Sequence, residues 1–141
     1  MSAGPAIAVA VIFVWLGMVL AISFLEAPLK FRAPNVTVQI GLGIGRLVFR
    51  ALNTVEVGFA LVVLAIVLAG PTPARIAVAF FVALAALVIQ LIAVRPRLTG
   101  RSDKVLAGLD APRSRGHYAY VGLEVVKVVG LVAAGILLLT A

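Results

Sequence analysis

In a chain of 141 residues, 64% of the side chains are hydrophobic, 12% are charged and the formal net charge is +7. Too few polar side chains remain to cover a soluble globule of this size, so the composition predicts a membrane protein. The chain has no cysteine, which excludes disulfides, thiolate catalysis and iron–sulfur or thiolate zinc sites. Its basic residues flank apolar segments without interleaved aromatics, so we expect no nucleic-acid partner.

The apolar segments predict an all-α fold: a polytopic membrane protein in which residues 1–141 form a single four-transmembrane-helix bundle. Each segment reaches the roughly 20 residues that cross a hydrocarbon core about 30 Å thick. The second and third are joined by a turn from Gly70 to Ala74, which makes them antiparallel neighbours. The predicted spans are residues 5–26, 40–69, 74–94 and 117–139.

The first span ends near a proline. Pro28 has no N–H to donate to the carbonyl four residues back, so the helix is predicted to kink or stop around Glu26. Glu26 and Lys30 are spaced i to i+4, which favours an ion pair at the membrane surface. Trp15, near the middle of this span, is interpreted as a helix-packing residue.

The second span carries a polar stripe, which we call the second-span stripe: Arg46, Arg50, Asn53 and Glu56. At helical pitch these residues lie at about 0°, 40°, −20° and −80°, so they share about a third of the helix circumference. Such groups are costly in hydrocarbon and need partners or a hydrated cavity. We expect the Glu56 carboxylate to pair with Arg50 or with Lys127.

Small residues precede this stripe on the same span. Gly41 and Gly45 have the spacing of a helix-contact face, which makes a homo-oligomer through this face a possible partner contact.

Beyond the turn, Gln90 is the only strongly polar residue inside the third span, close to the same membrane face as Glu26 and Glu56. An interhelical hydrogen bond is favoured for Gln90 over a ligand contact. The segment from Arg95 to Arg115 is predicted to be a basic loop that contacts the lipid bilayer through anionic lipid headgroups. Residues 102–109 within it fit a short interfacial helix capped by Ser102.

The fourth span begins with a second polar stripe, the fourth-span stripe: His117, Tyr120, Glu124 and Lys127. Their steps of three, four and three residues place them on one side of the helix. Because both stripes enter from the same membrane face, we expect them to face each other around one polar pocket, with Glu26 at its rim.

Basic residues are distributed unevenly between the connections. Four lie from Lys30 to Arg50 and six from Arg95 to Arg115, against one between the second and third spans. The positive-inside rule then makes the first and third connections cytoplasmic and both termini external. The predicted pocket faces the cytoplasm.

Two segments carry a resemblance to known sequences: SFLEAPLKF, residues 23–31, and GLGIGRLVFRALNTVE, residues 41–56. The chain resembles a family of small, uncharacterised bacterial membrane proteins with four predicted helices. The resemblance implies a four-helix architecture and a multi-pass protein of the bacterial inner membrane, and it supplies no catalytic residue.

Three functions are compatible with these patterns. The preferred hypothesis is a non-enzymatic protein that binds or moves a small anionic solute or lipid headgroup in the cytoplasm-facing pocket. Its candidate ligand-binding residues are Glu26, Arg46, Arg50, Asn53, Glu56, His117, Tyr120, Glu124 and Lys127.

The first alternative is a structural or accessory membrane subunit whose charges pair between helices. The second is a membrane-bound metal or haem redox enzyme using Glu26, Glu56, His117 and Glu124. A single histidine and no Glu-x-x-His motif speak against a metal centre, so we assign no catalytic residue, metal ligand or cofactor.

Overall fold

The computed structural model describes residues 1–109 and 115–141. Within these ranges it has four long helices and no strand. All four are long and apolar enough to cross a membrane. The predicted all-helical, four-helix class is therefore confirmed. The helices are α1 (Ala3–Arg32), α2 (Val38–Ala69), α3 (Ala74–Leu106) and α4 (Arg115–Leu139).

Helix α1 does not stop at its proline. It is α-helical over Ala3–Val19 and π-helical over Leu20–Glu26, and it continues through Pro28 to Arg32. In the wider turn the Ala27 N–H donates to the carbonyl of Ile22, five residues back. The π turn shifts the backbone hydrogen-bond register just before the pyrrolidine ring of Pro28. The helix therefore continues although Pro28 has no N–H to donate.

Helix α3 uses the same device. A π-helical segment, Gln90–Val94, precedes Pro96, and the Arg95 N–H donates to the Gln90 carbonyl. The helix then continues over Arg95–Leu106, where a loop was predicted, so that prediction and the separate helix over residues 102–109 are wrong. The rest of the predicted loop, residues 110–114, lies outside the described residues.

The helices pack around an apolar core in the half of the bundle remote from most basic residues. Helix α4 contacts α3 most extensively, and α1 packs against both α4 and α2. At the α3–α4 contact a Cβ on Gly130 would lie 3.0 Å from the carbonyl oxygen of Ala79, so a larger residue would require the two helices to move slightly apart. The buried core residues are Ile12, Trp15, Leu16, Val19, Ala60, Val63, Phe80, Ala83, Leu87, Leu131 and Ala134.

Helices α2 and α3 are antiparallel neighbours, as predicted, but much of their contact comes from the unpredicted extension of α3. The Gln39 side-chain amide donates to the Leu106 carbonyl at 2.9 Å, and Arg46 pairs with Asp103 at 2.6 Å. Few close backbone contacts join α2 to α4. Long side chains therefore fill the space between these two helices.

The predicted helix-contact face of α2 is occupied within the chain. Gly41 and Gly45 are buried. A Cβ on Gly41 would lie 2.2 Å from the Phe31 ring, and one on Gly45 would lie 2.7 Å from the Lys30 ammonium. The glycines thus admit the end of α1, and a homo-oligomer contact through the same face would require these side chains to move.

Candidate functional site

The polar side chains gather at one end of the bundle, where α1 and α3 finish and α2 and α4 begin. We call it the basic end, since among the described residues it carries every Lys and Arg except Arg75 and Lys127. Two polar regions adjoin here: an open basic cavity at this end, and a sealed polar network between the helices, which lies further toward the middle of the bundle and contains Lys127.

The polar network is centred on the Lys127 ammonium. This Nζ lies 2.6 Å from Glu56 Oε2, donates to Gln90 Oε1 at 2.9 Å and contacts Glu124 Oε1. Lys127, Glu56 and Gln90 are all 0% exposed. The prediction that Glu56 pairs with a base is confirmed, with Lys127 of another helix as the partner.

Helix α1 completes the network with two groups. The Trp15 indole N–H donates to Glu56 Oε2 at 2.8 Å, and the Ser23 hydroxyl donates to Glu124 Oε2. Gln90 also donates to Glu124 Oε1 at 2.8 Å and to the Tyr120 carbonyl at 3.2 Å, which confirms its interhelical bonding.

The indole bond shows that Trp15 does more than pack. A buried indole N–H usually has an acceptor, and this signal could have paired Trp15 with a carboxylate from the sequence.

The network joins all four helices through charged hydrogen bonds. Two carboxylates share one fully buried ammonium, and losing one partner leaves the others buried without their counter-charge. Charge-assisted bonds of this kind are short and directional. The network therefore holds the helices in one mutual register and leaves little room for a ligand among its own atoms.

The basic cavity has a volume of about 430 Å³ and is walled by all four helices. Its polar lining contains five basic side chains and four hydroxyls, with Glu124 as the single carboxylate. The basic side chains are Lys30, Arg46, Arg95, Arg101 and His117; the hydroxyls belong to Ser23, Thr99, Ser102 and Tyr120. The apolar walls include Phe24, Phe31, Leu42, Phe49, Leu98 and Val121.

Two of the cavity's cations, Lys30 and Arg95, are held more loosely than Lys127. Lys30 lies 3.9 Å from Glu26, with its ammonium 5.6 Å and 5.8 Å from the ring centroids of Phe31 and Phe49. Arg95 donates to the Phe49 carbonyl at 3.4 Å, and no ion pair within residues 1–109 and 115–141 involves it. Arg46 is paired with Asp103 but remains partly exposed. The lining is thus net positive.

The two π-helical segments border this cavity. In α1 the residues that follow the first segment, from Ala27 to Phe31, form one wall; in α3 the residues from Arg95 to Ser102 form another. An extra residue in a turn rotates everything after it by about 100°. The π turns therefore decide which side chains beyond Pro28 and Pro96 face the cavity. Such turns are often found at functional sites.

The two predicted stripes do converge, but they do not enclose one open pocket. Tyr120 and Glu124 belong to both regions, since they line the cavity, and the Tyr120 hydroxyl donates to Asn53 Oδ1 at 3.4 Å. Arg46 and His117 also line the cavity. Asn53, Glu56 and Lys127 are buried outside the cavity lining.

Arg50 and Glu26 were predicted to join this pocket and line neither region. Arg50 is exposed, and its guanidinium makes no ion pair with any described residue. It lies about 120° around α2 from Glu56, so when Glu56 faces the centre, Arg50 faces outward. Glu26 pairs weakly with Lys30 outside the cavity wall.

Sequence reasoning missed Lys30, Arg95, Arg101 and Ser23 as members of the site. In a regular helix Arg95 is about 140° from Gln90, on another face, whereas one π turn reduces this to about 40°. The prolines that follow the π turns, Pro28 and Pro96, were the available signal.

The described residues do not assemble a metal centre. Within residues 1–109 and 115–141 no group of three or more His, Asp or Glu side chains is arranged to hold an ion. The redox hypothesis needed Glu26, Glu56, His117 and Glu124 together. Instead the Lys127 ammonium lies between the Glu56 and Glu124 carboxylates, and Glu26 pairs with Lys30.

Four helices of spanning length around an apolar core, with buried charges paired among themselves, are the architecture of a multi-pass membrane protein. No family model, curated protein or solved structure matches the chain. The resemblance carried by residues 23–31 and 41–56 therefore stays a prediction.

Proposed function

We propose that this membrane protein binds a ligand with an anionic group, a phosphate or a carboxylate, in the basic cavity. The observation that carries the proposal is the charge balance of the lining: five basic side chains against the single carboxylate of Glu124 in about 430 Å³. Arg95 in particular bonds only a backbone carbonyl among the described residues.

The chemistry of these side chains suits an oxyanion. Guanidinium groups donate paired N–H bonds to phosphate or carboxylate oxygens, and such bonds are stronger in a site shielded from water. Hydroxyls of Ser102 and Thr99 line the same wall and supply further donors. A small anionic solute and a lipid headgroup present the same group to this lining.

Binding is favoured over conduction, because the opposite half of the bundle is closed by the apolar core that includes Leu16, Val63 and Phe80. A polar path through that core is absent from the described residues. Movement of the ligand would then require the helices to rearrange.

The basic end is proposed to face the cytoplasm, with both termini external and the protein in a bacterial inner membrane. The asymmetry of Lys and Arg supports this orientation. We expect a reporter that is active only outside the cytoplasm to be active when fused after Ala141, and a reporter that is active only in the cytoplasm to be inactive there. The opposite result would contradict the proposed orientation.

Ligand binding is tested with the full chain purified and delipidated in mild detergent. Inorganic phosphate, acetate, dodecyl phosphate and laurate are added, and native mass spectrometry and the thermal midpoint report binding and stabilisation. We expect at least one of these anions to bind and to raise the midpoint. Binding of none of the four would overturn the proposal.

A matched pair of arginines locates the site. Arg95 lines the cavity, whereas Arg97 is exposed two residues further on and outside the lining. We expect Arg95→Gln to weaken anion binding by about tenfold or more and Arg97→Gln to leave it unchanged. Equal affinities of the two variants would place the anion elsewhere.

The sealed network supports a second function, that of a structural or accessory subunit. The Lys127 ammonium pairs with Glu56 and Glu124 and bonds Gln90 without any ligand, as that function requires. A stable partner protein that co-purifies in mild detergent, together with no response to the four anions, would favour this function.

A further inference from the structure

The cavity has a side opening between α1 and α4. Helix α4 packs closely against Ala3–Val19 of α1 but makes few close contacts with the later part of α1, from Leu20 to Arg32. Phe24 of α1 and Val121 of α4 both line the cavity and are 40% and 41% exposed. The helices therefore separate on the basic-end side of the Ser23–Glu124 hydrogen bond, with apolar side chains at the edges of the gap.

The surface around the gap is apolar. Leu20, about one turn before Phe24, and Val125, about one turn after Val121, are exposed. In a four-helix membrane protein such a surface contacts acyl chains, so the gap leads from the cavity to lipid.

The lining is apolar beside the gap and basic on the two helices that do not form it. Phe24 and Val121 lie at the gap between α1 and α4, whereas Arg46 and Arg95 are carried by α2 and α3. An amphiphile with its chain toward lipid and its charged group toward these arginines matches this arrangement.

We infer that the ligand is an anionic lipid that enters sideways between α1 and α4, with its phosphate or carboxylate at Arg46 and Arg95 and its chain leaving past Phe24 and Val121. This inference rests on the proposed function and names the ligand class. A free anion gains only polar contacts in this cavity, whereas each methylene buried against the aromatic wall raises affinity about fourfold.

The test uses dodecyl phosphate with a photoreactive diazirine at the chain end, added to the full chain in phosphatidylcholine nanodiscs. After irradiation the labelled peptides are identified by mass spectrometry. We expect label on α1 near Phe24 and on α4 near Val121. Unlabelled dodecyl phosphate should reduce the labelling. Inorganic phosphate at a hundredfold higher concentration should not, because it lacks the buried methylenes that raise the affinity of dodecyl phosphate.

Two matched pairs of variants test the opening itself. Val121→Trp narrows it, whereas Val129→Trp changes an exposed residue of the same helix outside the lining. Phe24→Ala removes one edge, and its control, Leu25→Ala, changes an exposed neighbour outside the lining. We expect Val121→Trp and Phe24→Ala each to lower the labelling by about fivefold or more, and both controls to label as the parent does. Far-ultraviolet circular dichroism checks that each variant is folded.

The outcomes separate this inference from the proposed function. Label on the cavity that inorganic phosphate displaces as well as dodecyl phosphate does, or equal labelling of Val121→Trp and Val129→Trp, would overturn lateral lipid entry while leaving an anion site. Diffuse label over all four helices, unchanged by either competitor and by Arg95→Gln, would remove the anion site as well.

Discussion

The polar network and the basic cavity share Tyr120 and Glu124, yet their charges are arranged in opposite ways. In the network the Lys127 ammonium has three acceptors and no exposure. In the cavity Arg95 bonds one carbonyl, and Lys30 lies 3.9 Å from its carboxylate. Charges that satisfy one another hold helices together, whereas loosely held cations beside open space are free to bind an anion. Both kinds arise from polar residues on membrane helices, so polarity alone does not separate structure from binding.

The largest expected effect comes from removing the network's single base. Lys127→Met leaves the Glu56 and Glu124 carboxylates buried without a cation, and we expect it to lower the free energy of unfolding by about 3–5 kcal/mol. Unfolding in mild detergent, followed by circular dichroism, measures this loss. Lys104→Met, at an exposed position, is the control and should change stability by less than about 0.5 kcal/mol. A stable Lys127→Met protein would contradict the structural role of the network.

A smaller loss is expected when the network keeps its base. Glu56→Gln retains an acceptor for Trp15 and Lys127, and the ammonium still contacts Glu124 and Gln90. We expect a destabilisation of about 1–2 kcal/mol in the same unfolding measurement. A loss as large as that of Lys127→Met would mean that the Glu56 ion pair dominates the network.

The cavity should respond in affinity and hardly in stability. Arg46 lines the cavity and Arg50 does not, although they lie one turn apart on α2. We expect Arg46→Gln to weaken dodecyl phosphate binding by about tenfold and Arg50→Gln to leave it unchanged. Both should unfold within about 1 kcal/mol of the parent, because the Arg46–Asp103 pair is partly exposed to solvent. Unfolding of the Arg46→Gln protein, or loss of dodecyl phosphate binding in Arg50→Gln, would contradict the distinction between a binding cavity and a structural network.

The smallest effect concerns the shape of the cavity. A Cβ on Gly41 would press on the Phe31 ring, whereas a Cβ on Gly58 meets no atom within 4 Å. Gly58→Ala should stabilise α2 by about 0.5–1 kcal/mol through helix propensity. Gly41→Ala should show less of this gain and bind dodecyl phosphate a few-fold more weakly, because Phe31 must shift. Titrations of the two purified variants measure the difference.

The sequence by itself determined the helices and the need for buried pairing. Chain length and hydropathy set four spanning segments, and the turn at Gly70 made α2 and α3 antiparallel. A carboxylate as deep as Glu56 requires a base, which reduced its partners to Arg50 and Lys127. These inferences depend on local composition and on the cost of charge in hydrocarbon, and both can be read from residue order.

Only the tertiary structure decided which polar residues face inward and where the cavity lies. The second-span stripe covers about 120° of the helix circumference. The packing of α1 and α4 against α2 buries the side with Glu56 and leaves the side with Arg50 exposed. The π turns before Pro28 and Pro96 rotate the following residues by about 100°, which brings Lys30 and Arg95 to the cavity. A helical wheel assumes about 100° per residue throughout and therefore misses this rotation. A wider turn forms only where contacts with neighbouring helices and hydrogen bonds compensate for it.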